Sequence, residues 1–118
     1  MLLQMLRCKI HRATVTGADL NYEGSIGICP GLIAQSGLLP NEKVEIYNIN
    51  NGQRFETYVI VGQKGEISLN GAAARLVAVG DKIIICAYTW LPQQEAAKYS
   101  PRIVLVDDQN RGQMKSPF

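Results

Sequence analysis

The sequence has no long hydrophobic run, no block of like charge and no paired cysteine pattern, and each absence excludes a class of function. No apolar stretch approaches the roughly 18 residues that a membrane-spanning helix needs, and the apolar part of Met1-Leu2-Leu3-Gln4-Met5-Leu6-Arg7 is too short for a secretory signal. A cytoplasmic protein without a membrane partner is expected. The 12 basic and 10 acidic residues are spread along the chain and leave a net charge of +2, so no dense Lys/Arg run tracks a phosphate backbone. Nucleic acid is therefore not expected as a partner. Cys8, Cys29 and Cys86 are odd in number and far apart, which fits neither a CxxC metal pair nor a disulfide framework; they read as buried thiols. With His11 as the only imidazole, a zinc site of the usual His/Cys type lacks clustered ligands, and no metal is expected. There is no internal repeat and no low-complexity segment.

What is present suits one globular domain over residues 1–118, with 47% hydrophobic and 19% charged residues. Residues 2–16 lack helical period and read as a strand that stops at a turn, Gly17-Ala18-Asp19. Alternation sets Arg7, Lys9 and His11 on one face and Cys8, Ile10 and Arg12 on the other. Residues 30–37 suit a short helix capped by Gly37. Residues 43–49 and 54–61 flank Asn50-Asn51-Gly52, a hairpin signal; on the return strand Arg54, Glu56 and Tyr58 share one face and Phe55, Thr57 and Val59 the other. After the turn Gly62-Gln63-Lys64-Gly65 and a strand over residues 66–69, Asn70-Gly71-Ala72-Ala73-Ala74-Arg75 turns tightly into small residues. Those residues suit either a close approach to the backbone or an alanine-filled helical turn. Residues 82–88 suit a strand buried on both faces, residues 91–99 a short helix with Pro92 in its first turn, and residues 103–106 a last strand; the polar tail 107–118 is expected to fray. About six short strands with glycine turns indicate a small all-β barrel or sandwich.

One stretch remains, Asn21-Tyr22-Glu23-Gly24-Ser25-Ile26-Gly27-Ile28, whose Gly-Ser pair taken alone reads as a turn. Together with Lys9-Ile10-His11-Arg12-Ala13, Asn50-Asn51-Gly52, Arg54-Phe55, Thr57-Tyr58 and Asn70-Gly71-Ala72-Ala73-Ala74, it closely resembles the pyruvoyl-dependent aspartate 1-decarboxylase family from about Met5 to Asp107. The resemblance implies a six-stranded double-psi β-barrel with short helices, assembled as a homotetramer with active sites between neighbouring subunits. It implies conversion of L-aspartate to β-alanine and CO2 for pantothenate and coenzyme A synthesis. It further implies a proenzyme that cuts itself at Gly24-Ser25 into residues 1–24 (β chain) and 25–118 (α chain), four of each per tetramer. Ser25 becomes the pyruvoyl group, which forms a Schiff base with the substrate without metal or pyridoxal phosphate. Some members of the family are matured with the help of a separate protein.

The chemistry accounts for the residue types. A decarboxylase must hold the electron pair left by departing CO2, and no unmodified side chain is an adequate sink. The Ser25 hydroxyl attacks the Gly24 carbonyl and the acyl group moves from nitrogen to oxygen. β-Elimination of the ester leaves dehydroalanine, and hydrolysis releases ammonia to give the pyruvoyl terminus. Gly24 offers no side chain to obstruct the attack and tolerates a strained backbone. By the resemblance Thr57 supports processing, as a hydrogen-bond donor to the oxyanion, and contacts substrate. Strict alternation turns Thr57 away from the Tyr58 face, which a bulge or a site between subunits would resolve. Tyr58 is implied as proton donor, since a phenol stays protonated at neutral pH. The planar fork of Arg54 and the point charge of Lys9 suit a dianionic substrate, the peptide groups of Gly71, Ala72 and Ala73 line its pocket, and His11, Tyr22 and Asn70 lie in supporting positions. Tyr47 stands where other members carry tryptophan, a departure that touches aromatic packing.

Two other readings are weighed. A non-catalytic double-psi barrel that binds a partner fits the fold, since fold does not fix function, but has no need of Gly24, Ser25, Thr57 and Tyr58 together. A cysteine hydrolase using His11 fits poorly, because Cys8 faces away from His11 on the strand and no third group orients them.

Overall fold

Alternation governs the long opening strand, β1 (Leu2–Thr14), which buries Cys8, Ile10 and Ala13 and turns Lys9 and His11 to the other face. The computed structural model describes residues 1–115. Among these, β2 (Gly17–Asp19), β3 (Ser25–Ile28), β4 (Lys43–Asn48), β5 (Arg54–Val61), β6 (Ile67–Asn70), β7 (Lys82–Pro92), β8 (Arg102–Val106) and β9 (Gly112–Met114) complete a nine-stranded sheet in the order β2-β6-β3-β5-β4-β7-β1-β8-β9. The helices are short: α1 (Pro30–Ser36), a 3-10 turn (Gly71–Leu76) and α2 (Gln93–Ala96). None is long and apolar enough to cross a membrane.

The sheet closes on itself. β1 pairs antiparallel with β7, and just past its end Thr16 N–H donates to the Ile67 carbonyl at 2.7 Å, after which β2 runs parallel to β6. With β1 and β2 counted as one bent stave, six staves form a ring: β1/β2, β6, β3, β5, β4 and β7. β8 and β9 lie outside this ring along the other side of β1. Closure satisfies backbone groups that an open sheet would leave as sticky edges. Ile10, Ile26, Ile46, Val59, Leu69 and Ile85 fill the interior, all fully buried.

Several elements depart from the pattern-based expectation, each for a tertiary reason. Nine strands occur where about six were expected, because the bent stave is split and β8 and β9 extend the sheet. Gly17-Ala18-Asp19 is strand β2 rather than a turn, since β6 offers it a ladder. Arg12 does not share the inner face with Cys8 and Ile10: the β1–β7 register shifts between His11 and Ala13, and Arg12 is exposed with φ 72° as the extra residue of a bulge. β7 is not buried on both faces, for Ile83, Ile85 and Ala87 face the core while Ile84 and Tyr88 are half-buried opposite. It also runs to Pro92, paired with Leu2, so the helix expected from residue 91 is only α2, with Pro92 before it as cap.

The polar tail does not fray over its described part; residues 116–118 lie outside the described residues. Asp107 N–H and Arg111 O close a turn at 3.0 Å, and β9 pairs with β8. Asn110, buried at φ 59°, locks this turn down: its amide nitrogen donates to the Thr14 and Gly65 carbonyls at 2.9 and 3.0 Å, and its oxygen accepts from Thr14 N–H at 2.8 Å. Asn110→Ala leaves those groups unpaired and is expected to lower stability by about 2 to 3 kcal/mol. Urea unfolding checks this, and a midpoint equal to that of the parent would contradict the role.

Candidate active site

Residues 21–24 form an exposed loop, and the chain plunges inward at Ser25, which is only 1% exposed. The Ser25 hydroxyl donates to the Glu23 carbonyl at 3.0 Å and accepts from the Asn70 amide nitrogen at 3.0 Å, so it is held back toward the peptide that precedes it. Asn70 sits there because β3 and β6 pair antiparallel with Ser25 opposite Asn70. The next residue, Gly71, has φ 69° and lies so close that a Cβ there would stand 2.7 Å from Gly24 Cα and 2.9 Å from Gly24 N. Only glycine fits that contact. Gly24 itself lies outside the left-handed region and has open space where a Cβ of its own would point, so the strained backbone expected at Gly24 is instead found at Gly71.

On the other flank β3 runs parallel to β5 with Ile26 beside Val59. One residue before that pairing stand Ser25 on β3 and Tyr58 on β5. Tyr58 is 36% exposed, whereas Thr57 is half-buried on the opposite face; the β4–β5 register runs without a shift, so no bulge turns Thr57 round. Ala72 is exposed and Ala73 packs against the core margin within the 3-10 turn, which joins the two meanings expected of this stretch, a close approach and a helical turn. Tyr22 is exposed and its carbonyl also faces Gly71.

The cations lie elsewhere on the barrel. Arg54, Tyr47, Ile84 and His11 occupy one row across β5, β4, β7 and β1, so Arg54 and His11 are three strands apart around the barrel. Arg54 is four residues before Tyr58, about 13 Å along the strand. Lys9, two residues from His11, borders β7 and β8 rather than β3. One chain therefore brings Asn70 to Ser25 and Gly71 to Gly24, with Tyr58 on the neighbouring strand β5, and sets Lys9 and His11 on β1, which does not pair with β3. Burial first, then the charges of Lys9, Arg12 and Lys115, hold the His11 imidazole below its ordinary pKa, and its buried Nδ1 finds no hydrogen-bond partner among the described residues. Burial pushes the Cys8 thiol up to about 11 and raises that of Cys86 as well, the opposite of what a cysteine nucleophile requires.

The family model for aspartate decarboxylase matches residues 1–113. The chain belongs to the aspartate decarboxylase family. It is 64% identical over 111 residues to a protein of Bdellovibrio bacteriovorus named aspartate 1-decarboxylase, covering 94% of this chain and 90% of the relative. It is 60% identical over 113 residues to one of Caldicellulosiruptor bescii, with 94% and 88% covered, and 58% over 109 residues to one of Ralstonia nicotianae, with 91% of each covered.

For this aspartate decarboxylase family member, the closed ring is the all-β double-psi barrel that the resemblance implies. Sequence reading did not find the Tyr47, Tyr88 and Glu45 hydroxyl network on the outer face. Its one sequence signal was aromatic residues on alternating strands, which packing explains equally well. Nor did it find that Gly71 is the tightest point of the loop. Gly71→Ala is expected to push Gly24 outward and to destabilise the protein by roughly 1 to 3 kcal/mol, the range for a side chain forced into an unfavourable backbone region. Thermal unfolding and a crystal structure of the variant check both effects, and an unmoved Gly24 at parental stability would refute the contact.

Proposed function

We propose that this chain is a proenzyme of an aspartate 1-decarboxylase. It cuts itself between Gly24 and Ser25, converts Ser25 to a pyruvoyl group and decarboxylates L-aspartate to β-alanine for pantothenate synthesis. The observation that carries the reading is the buried Ser25 hydroxyl fixed by hydrogen bonds to Glu23 O and Asn70 Nδ2, beside a glycine-only contact at Gly24, in a chain of this family.

In processing, the Ser25 oxygen forms a bond to the Gly24 carbonyl carbon as its proton leaves, and the carbon–nitrogen bond then breaks to give an ester. Loss of the ester oxygen with the Ser25 α-proton frees residues 1–24 as a carboxylate and leaves dehydroalanine, which water converts to the pyruvoyl terminus with release of ammonia. Thr57 donates a hydrogen bond to the oxyanion; losing such a donor slows a reaction by on the order of 100- to 1000-fold. Gly71 keeps the space beside Gly24 clear, which fits a small carbonyl group at position 25. When formed, that group supplies the electron sink for the pair left by departing CO2. Tyr58 delivers a proton to the carbon that carried the carboxylate.

Arg54 and Lys9 bind the substrate carboxylates, with Gly71, Ala72 and Ala73 lining the pocket and His11 and Tyr22 in support. Because Arg54 stands four residues from Tyr58 along β5, about 13 Å at normal β spacing, and Lys9 lies on β1 between β7 and β8 rather than beside β3, a second copy supplies these cations, in keeping with a homotetramer of cleaved protomers. A barrel that only binds a partner has no use for a hydroxyl poised on its own backbone.

Intact mass under denaturing conditions tests the reading. Two chains are expected, residues 1–24 and 25–118, the second lighter by one ammonia than a chain starting at serine. Ser25→Ala is expected to abolish cleavage and turnover, and Tyr58→Phe to spare cleavage while lowering turnover at least tenfold, within the range for a general acid. Full-length protein after prolonged warming with a maturation protein present, and no CO2 released from aspartate, would overturn it.

A further inference from the structure

We propose that Tyr88 is a positioning residue for substrate binding: through the Tyr47 hydroxyl it fixes the ring on which the Arg54 guanidinium rests, and so sets where a substrate carboxylate docks. This rests on Arg54 being a carboxylate ligand.

The Arg54 guanidinium carbon stands 3.8 Å from the centroid of the Tyr47 ring, within range for a cation held over an aromatic face. Among the described residues no carboxylate pairs with Arg54 and no hydrogen bond holds it. The ring is thus its support, and the planar N–H fork is left open for a carboxylate.

The ring in turn is held by its hydroxyl. Tyr47 donates to Glu45 Oε1 at 3.1 Å, which uses its one proton, so in the 2.6 Å contact between the two hydroxyls Tyr88 is the donor. The relay runs from Tyr88 to Tyr47 to Glu45, and it crosses from β7 to β4, the two strands that separate β5 from β1. Burial raises the pKa of both phenols, and the bond to Tyr47 adds to the rise at Tyr88, so both protons remain in place at neutral pH. The relay borders an open cavity of about 460 Å³ lined by Glu45, Glu56, Cys86, Tyr88 and Trp90, where the Cys86 side chain also meets the Tyr88 hydroxyl.

Removing the Tyr88 hydroxyl leaves Tyr47 with one anchor, free to tilt under Arg54. Tyr88→Phe in the processed assembly is expected to raise the KM for aspartate roughly three- to tenfold, the reach of a cation–aromatic contact, with kcat changed less than about twofold. The Kd for succinate, which carries two carboxylates and no amine, is expected to rise by the same factor in calorimetry. Tyr47→Phe keeps the ring but removes both of its anchors, so it is expected to raise KM at least as much as Tyr88→Phe, and the double variant to be no worse than Tyr47→Phe alone. Added to Arg54→Ala, Tyr88→Phe is expected to change succinate binding no further.

Unchanged KM and Kd in Tyr88→Phe, or an equal additional loss in the Arg54→Ala background, would overturn the inference while leaving Arg54 as a ligand. Undiminished succinate binding in Arg54→Ala alone would overturn the carboxylate assignment itself, and the inference with it.

Discussion

Thr16 closes the barrel. Its N–H meets the Ile67 carbonyl at 2.7 Å, and its side-chain oxygen accepts from Ile67 N–H at 3.0 Å, so the run that begins as a partner of β7 ends as a partner of β6. With β6 fixed on one side and β5 on the other, β3 has a single register, because a slip of one residue would turn Ile26 and Ile28 out of the core. That register places Asn70 opposite Ser25 and brings Gly71 against Gly24. The site's geometry therefore follows from ring closure rather than from the loop's own preferences.

A serine hydroxyl buried at a strand end is costly to desolvate, by about 1 to 3 kcal/mol if left unpaired. Here it is satisfied by one acceptor and one donor, which fix its direction. The exposed residues before it and the fully buried strand after it give the Gly24-Ser25 bond two unlike environments. The loop side is open to solvent, while the strand side is locked in the sheet.

The outer face follows another logic. Arg54 and Tyr47 are neighbours in one row across the strands, and His11 lies two strands beyond Tyr47 in that row. The barrel presents its cations outward and its Ser25 group at a different stave.

Local pattern determined much in advance. The alternation of Lys9 and His11 against Ile10, the helix ended by Gly37 at φ 78° and the hairpin around Asn50-Asn51-Gly52 were legible because each depends on neighbours within a few residues. The motif set located Ser25, Asn70 and Gly71. Tertiary structure alone decided that Gly17-Ala18-Asp19 is a strand, that Arg12 is pushed outward at a bulge, that Asn110 pins the tail, and that Tyr88 reaches Tyr47 41 residues away. Such features depend on which backbone or hydroxyl arrives alongside. Ring closure decides that, and no short window of residues contains it.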